Sequence, residues 1–280
     1  MAKLLEGKQL ADKIKARLVE DIRFLGIKPV LASIVLGNNP ASEAYVHSQK
    51  KAAQELGVDY QPHKLEANIF ENDLIQFILE LNDNEAVNGI IIQMPLPEQI
   101  DYKKISNFIH PEKDIEGMHP ANIGKIVFGK PRVLPCTAAS VMELLNSTGV
   151  DLSGKEVVVV GHSEIVGKPL ALLLLDSLAT VTVCHIGTSQ AGKLEEHVRR
   201  AEVLIAAVGK PGLIKGEWIK EGAIVIDVGI NRVGDQIVGD VEFEAAQKRA
   251  SWITPVPGGV GPLTVTMLMR NLVEVTKLQK

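Results

Sequence analysis

Apolar residues along this chain repeat first with one period and then with another. Leu10, Ile14, Leu18, Ile22 and Leu25 recur at helical spacing, which predicts a first helix with one buried face. A nearly unbroken apolar run over 29–36 (PVLASIVL) reads as a parallel strand covered on both faces. Asn39 and Pro40 then suit an N-cap and a first helical position, and Gly57 ends that helix. A strand near 60–65, a helix over 72–82 and a strand at 87–92 continue an α/β alternation. The pattern loosens from 101 to 135, and a helix over 138–147 leads out of it. Strands at 156–160, 180–184, 203–206 and 223–228, with helices at 166–177 and 191–200, then spell a Rossmann-like unit. The reading is α/β in two domains: 1–139, completed by a C-terminal helix over 263–280, and 140–262.

Composition narrows the partners. A length of 280 residues with 46% hydrophobic content buries a substantial core. The net charge of -4, from 30 basic and 34 acidic residues, leaves no basic stripe for nucleic acid. No apolar run approaches the ~18 residues of a membrane span. Asp12, Glu20 and Asp21 lie among the lysines of the first helix, where transit peptides are poor in acids. Cys136 and Cys184 form no disulfide framework, so both read as free thiols of a cytoplasmic protein. His119 and His185 lack a companion at metal-ligand spacing, and no metal is expected.

One motif carries nucleotide chemistry. After VVVV comes Gly161-His162-Ser163-Glu164-Ile165-Val166-Gly167, a strand, a glycine turn and a helix start in succession. That order sets backbone N–H groups against a phosphate. The spacing G-x-S-x-x-x-G departs from the common G-x-G-x-x-G, so a structural turn without ligand stays open on this motif alone. Further turns at strand ends, around Gly209 and at Val228-Gly229-Ile230-Asn231, suit a ligand lying along one sheet edge.

With PASEAYV (40–46), GIIIQMPLP (89–97), PEKDIEG (111–117), VVVVGHSEIVGKP (157–169), VIDVGINR (225–232) and TPVPGGVGPLTVTML (254–268) in order, the chain resembles the methylenetetrahydrofolate dehydrogenase/cyclohydrolase family over essentially its whole length. The resemblance implies a folate-binding N-terminal domain, a dinucleotide-binding C-terminal domain, a cleft between them, and a homodimer. It implies that Tyr45, Gln49, Gln93 and Glu116 serve catalysis, with Tyr45, Gln93, Asp114, Glu116, Pro257, Gly258 and Gly259 around the folate. Gly161, His162, Ser163, Ile165, Val166, Gly167, Ile186, Gly209, Gly229, Ile230 and Thr264 would meet the dinucleotide.

Four positions, Gln49, Glu116, His162 and Ile186, depart from the family pattern in ways that touch the chemistry. The helix motif of Tyr, three residues and Lys reads Tyr45-Val46-His47-Ser48-Gln49 here. Residues four apart share a helical face, so Tyr45 and Gln49 belong together and Lys50 is turned about 100° away. Glutamine hydrogen-bonds but does not exchange a proton near neutral pH, which predicts a surviving dehydrogenase and a weak or absent cyclohydrolase. Glu116 stands where the family has Asp, keeping the charge with a longer reach. Asp114 reads equally well as a loop-capping carboxylate. His162 and Ile186 replace the Arg and Ser that hold a 2′-phosphate, which favours NAD while leaving NADP open.

The sequence therefore points to oxidation of 5,10-methylenetetrahydrofolate to the methenyl form with reduction of NAD. The alternatives are a full dehydrogenase/cyclohydrolase and a non-catalytic folate- and nucleotide-binding regulator.

Overall fold

The computed structural model describes residues 1–279, apart from the side chain at position 41. Its elements run β1 (Lys3–Leu4), α1 (Gly7–Leu25), β2 (Val30–Leu36), α2 (Pro40–Leu56), β3 (Asp59–Leu65), α3 (Glu71–Asp83), β4 (Gly89–Ile92), α4 (Tyr102–Ile105), α5 (Pro120–Val127) and α6 (Cys136–Ser147). They continue as β5 (Glu156–Val160), α7 (Gly167–Asp176), β6 (Thr180–Cys184), α8 (Ile186–Gln190), α9 (Leu194–Arg200), β7 (Val203–Ala206), β8 (Ile224–Asp227), β9 (Asn231–Val233), β10 (Gln236–Val238), α10 (Phe243–Ala246), β11 (Trp252–Ile253) and α11 (Val260–Leu278). Position 280, the end of the expected last helix, lies outside the described residues.

The chain divides into two compact units, 13–136 with the chain from 265 onward, and 1–12 with 137–264. In the first, β3, β2 and β4 form a parallel sheet in that order. β2 is buried from Leu31 to Leu36, as the unbroken apolar run requires of a strand with no solvent face. Leu74, Ile78 and Leu81, three and four apart on α3, pack against Ala32, Ile34, Ile90 and Ile92. Gly89 opens β4 where a Cβ would strike Ile115 and Leu272, so α11 and the 111–117 loop approach the sheet at that point.

In the second unit six parallel strands lie in the order β1-β11-β8-β7-β5-β6. The chain leaves β5 for β6 on one side and then crosses to β7 on the other. This reversal opens a crevice at the carboxyl ends of β5 and β7, the usual ligand position in open α/β sheets. Val157 to Val160 are buried, each contributing about 1.5–3 kcal/mol relative to exposure.

Several local features differ from the expectations. The expected helix over 191–200 begins later, as α9 at Leu194; a separate, unexpected helix, α8, precedes it from a capping box between His185 and Thr188, and Gly192, at φ +69°, separates the two. The loose region from 101 to 135 holds α4, capped by the Asp101 side chain on Lys103 N, and α5, capped by His119 on Ala121 N. Residues 1–12, grouped by the sequence reading with 13–139, pack in the unit of the six-stranded sheet, because β1 adds beside β11. The β9–β10 hairpin, β11 and α10 are too short for a periodicity to announce them.

Candidate active site

The face of α2 carrying Tyr45 and Gln49 turns toward β2, β3 and β4, and Lys50 is exposed. Gln49 is fully buried, and its amide pairs reciprocally with that of Gln93, at the end of β4. Tyr60 OH lies 3.2 Å from Gln49 Oε1 and 2.8 Å from Ser33 Oγ, and Gln93 Nε2 donates to the same Ser33 at 2.9 Å. A buried polar group needs a partner, and here four uncharged side chains supply one another. Ser42 Oγ donates to Met94 O at 2.7 Å, tying the start of α2 to the chain just beyond Gln93. Tyr45 is hydrogen-bonded to Gln49, and burial raises its phenol far above the usual range.

Glu116 is held by two neighbours in its own motif. Lys113 Nζ donates to the carbonyls of Leu81, Asn82 and Asn84 at 3.1, 2.6 and 2.8 Å, capping the end of α3. Asp114 accepts from Gly117 N, His119 N and Asn122 Nδ2 at 3.0, 2.8 and 2.9 Å. It is only 3% exposed, so of the two roles raised for it the geometry supplies loop capping, with little left to meet a substrate. Between these anchors Glu116 accepts from Tyr102 OH at 3.1 Å. Burial, assisted by the charge of Asp114, pushes its carboxyl up to about 8.

A second set of residues lies along the carboxyl edge of the six-stranded sheet. Gly161 leaves β5 at φ +125°, and a Cβ there would collide with Ala207 O. A Cβ on Gly167 would run into the Gly161 carbonyl, so α7 starts directly against the strand end. Val166 N donates to Ser163 Oγ and Lys168 N to Ser163 O. His162 is exposed, its ring 5.2 Å from that of His185 and tilted by 51°. Ile165, Ile186, Val208 and Ile230 follow four different strands and are each 45–68% exposed. Large apolar side chains uncovered at four neighbouring strand ends fit a flat ligand laid across them.

Gly209 and Gly229 belong to this edge, but their N–H groups are taken, by Asp240 and Asp227 respectively. They can offer close approach and not a donor. Gly258 sits at φ +113° after the cis Val256–Pro257 bond, and Gly259 is buried where a Cβ would strike Thr254. Thr264, one turn into α11, bonds back to Val260 O at 3.3 Å.

Residues 5–116 match the description "Tetrahydrofolate dehydrogenase/cyclohydrolase, catalytic domain", and residues 135–280 match that family's "NAD(P)-binding domain". The chain belongs to the tetrahydrofolate dehydrogenase/cyclohydrolase family. It is 52% identical to the "Bifunctional protein FolD" of Acetivibrio thermocellus over 99% of this chain and 98% of that protein. The crystal structure of the FolD dehydrogenase/cyclohydrolase of Campylobacter jejuni superposes with a TM-score of 0.96 at 45% identity, covering 100% of both chains. A Trypanosoma brucei FolD, described as complexed with NADP cofactor and inhibitor, gives 0.94 at 41% identity, with 99% of this chain and 98% of that one covered.

Within this family the names of the relatives speak for two activities, and so favour the full dehydrogenase/cyclohydrolase over the expected weak or absent cyclohydrolase. The family's NAD(P)-binding domain fits a nicotinamide dinucleotide without choosing between NAD and NADP. The sequence pattern does not single out Tyr60, Ser33, Tyr102, Lys113 or the pair Asp227 and Asp240. A polar residue within the apolar run of β2, Ser33, was the one available signal for the first two. Nothing local marks the others, since each has a partner 13 to 32 positions away.

Proposed function

We propose that this chain oxidises 5,10-methylenetetrahydrofolate to the methenyl form with a nicotinamide dinucleotide, and then hydrolyses that product. The observation that carries the reading is the Tyr45, Gln49, Gln93 and Glu116 group, in a unit whose family description is a folate enzyme's catalytic domain. The dinucleotide supplies the hydride acceptor. Both nitrogens flanking the methylene carbon stabilise the cation left behind, so the redox step asks of the protein orientation and not a base. Glu116 accepts hydrogen bonds from the pterin ring, Gln93 and Tyr45 orient the one-carbon bridge, and the Gly161–Gly167 turn receives the phosphates.

Hydrolysis is different chemistry: water adds to the cationic carbon, the ring opens at one C–N bond, and a proton is lost. A group able to take that proton helps. Gln49 favours a second reading, a dehydrogenase with feeble hydrolysis, because a buried amide paired to another amide cannot do so. In the first reading water beside Tyr45 carries the proton away, and the phenol, kept protonated by burial, only orients that water. Following methenyltetrahydrofolate loss in wild type and Gln49→Lys separates the two. Comparable rates support two activities in the native chain. A gain of about 10²-fold or more in the variant supports the second reading.

NAD is the better fit of the two dinucleotides, since exposed His162 and Ile186 offer less to a 2′-phosphate than Arg and Ser. By resemblance the protein works as a cytoplasmic homodimer.

A further inference from the structure

Behind the loops of the dinucleotide edge stand two buried carboxylates. Asp240 is fully buried and accepts from three consecutive backbone N–H groups, Val208, Gly209 and Lys210, at 2.7, 3.0 and 2.8 Å, and from Asn231 Nδ2 at 2.9 Å. Asp227, 4% exposed, accepts from Gly229 N, Asp240 N and Val241 N at 3.0, 3.0 and 2.9 Å. Among the described residues every hydrogen bond to either carboxylate comes from an uncharged N–H. The backbone is shaped around them: a Cβ on Gly229 would enter the Asp240 carboxyl, and one on Gly239 the Asp227 carboxyl. Asp227 closes β8 and Asp240 follows β10, so the pair joins the loops after β7 and β8 to the returning hairpin.

Consecutive N–H groups that converge make a concavity suited to an anion. Such a nest at a dinucleotide edge would ordinarily be free to compete for phosphate, but an internal carboxylate fills this one. We propose that Asp240, itself oriented by Asp227, is a positioning residue for the dinucleotide. It fixes the loops that present Val208 and Ile230, and it leaves the Gly161–Gly167 turn as the place where phosphate binds. The inference rests on the reading of this edge as the dinucleotide site.

The test uses the full-length protein, NAD and NADP as probes, and two readouts: binding by fluorescence titration, and amide hydrogen exchange in the free protein. Asp240→Asn replaces an acceptor by an N–H₂ facing N–H donors, and unsatisfied buried donors predict about a tenfold rise in Kd. Exchange at Val208, Gly209 and Lys210 should quicken together. Asn231→Ala, a milder change should the first variant fold poorly, should raise Kd by about threefold. Val198→Ala, on the buried face of α9, serves as a control that lowers stability without touching the edge. Ile165→Glu places a charge directly on the edge. If Ile165→Glu weakens binding while Asp240→Asn and Asn231→Ala both stay within about twofold of wild type, the positioning role is wrong. If Val198→Ala weakens binding as much as Asp240→Asn at equal loss of Tm, the role is structural only and the proposal is likewise overturned. If Ile165→Glu has no effect, the reading of the edge itself fails.

Discussion

Gln49 and Gln93 face each other as a closed amide pair, with Nε2 of each directed at Oε1 of the other, at 3.2 and 2.8 Å. Their sequence positions are 44 apart, yet each completes the other's hydrogen bonding in a place without access to water. The pair makes the centre of this site neutral, where the family pattern puts an ammonium group. It also ties α2 to the end of β4.

Breaking that pair should show in stability before it shows in rate. Gln93→Leu removes the acceptor of Gln49 Nε2 and takes away the Nε2 donor to Gln49 and Ser33. The expected cost is about 1–3 kcal/mol, read as a lower Tm in calorimetry together with a reduced dehydrogenase rate. An unchanged Tm would mean that water replaces the lost partner.

Glu116 gives a pH dependence with a definite sign. Its carboxyl, raised to about 8 chiefly by burial, is mostly protonated at pH 7. The ionised form accepts both hydrogen bonds from a pterin, so folate binding must first remove a proton below that value. KM for the folate should therefore fall as pH rises from 7 to 9, by about tenfold for one unit of unfavourable ionisation. Glu116→Gln should bind folate less tightly and lose this dependence. A KM that rises over the same interval contradicts the assigned role.

Cofactor choice should respond to one exposed side chain. His162→Arg places a permanent cation beside His185, at the end of β6. The ratio of kcat/KM for NADP over NAD should increase by about tenfold or more, measured in parallel assays. No change in the ratio would put the 2′-hydroxyl elsewhere.

What the sequence revealed follows from how far each interaction reaches along the chain. The strand 156–160, the turn from Gly161 to Gly167 and the helix α2 were legible because their signals, apolar runs, glycines and caps, are local. The placement of Tyr45 and Gln49 on one face followed from helix geometry alone. The carboxylate of Asp227 was invisible despite lying inside a recognised motif, because the groups it organises include Asp240 and Val241, 13 and 14 residues later. Tyr102 carries no local signal for the same reason: its partner Glu116 is 14 positions on, and Tyr102 itself opens a short helix that periodicity does not resolve. Residues 1–12 were grouped by continuity with α1, whereas two strand residues, Lys3 and Leu4, pair with β11 instead.

The most direct measurement follows the atom that moves. With 5,10-methylenetetrahydrofolate deuterated at the methylene carbon, NMR of the reduced dinucleotide should find deuterium at C4 of the nicotinamide, and the rate of reduction should slow relative to the protonated substrate. Dinucleotide that stays oxidised in the presence of bound folate, or that is reduced without acquiring deuterium, would contradict the assignment.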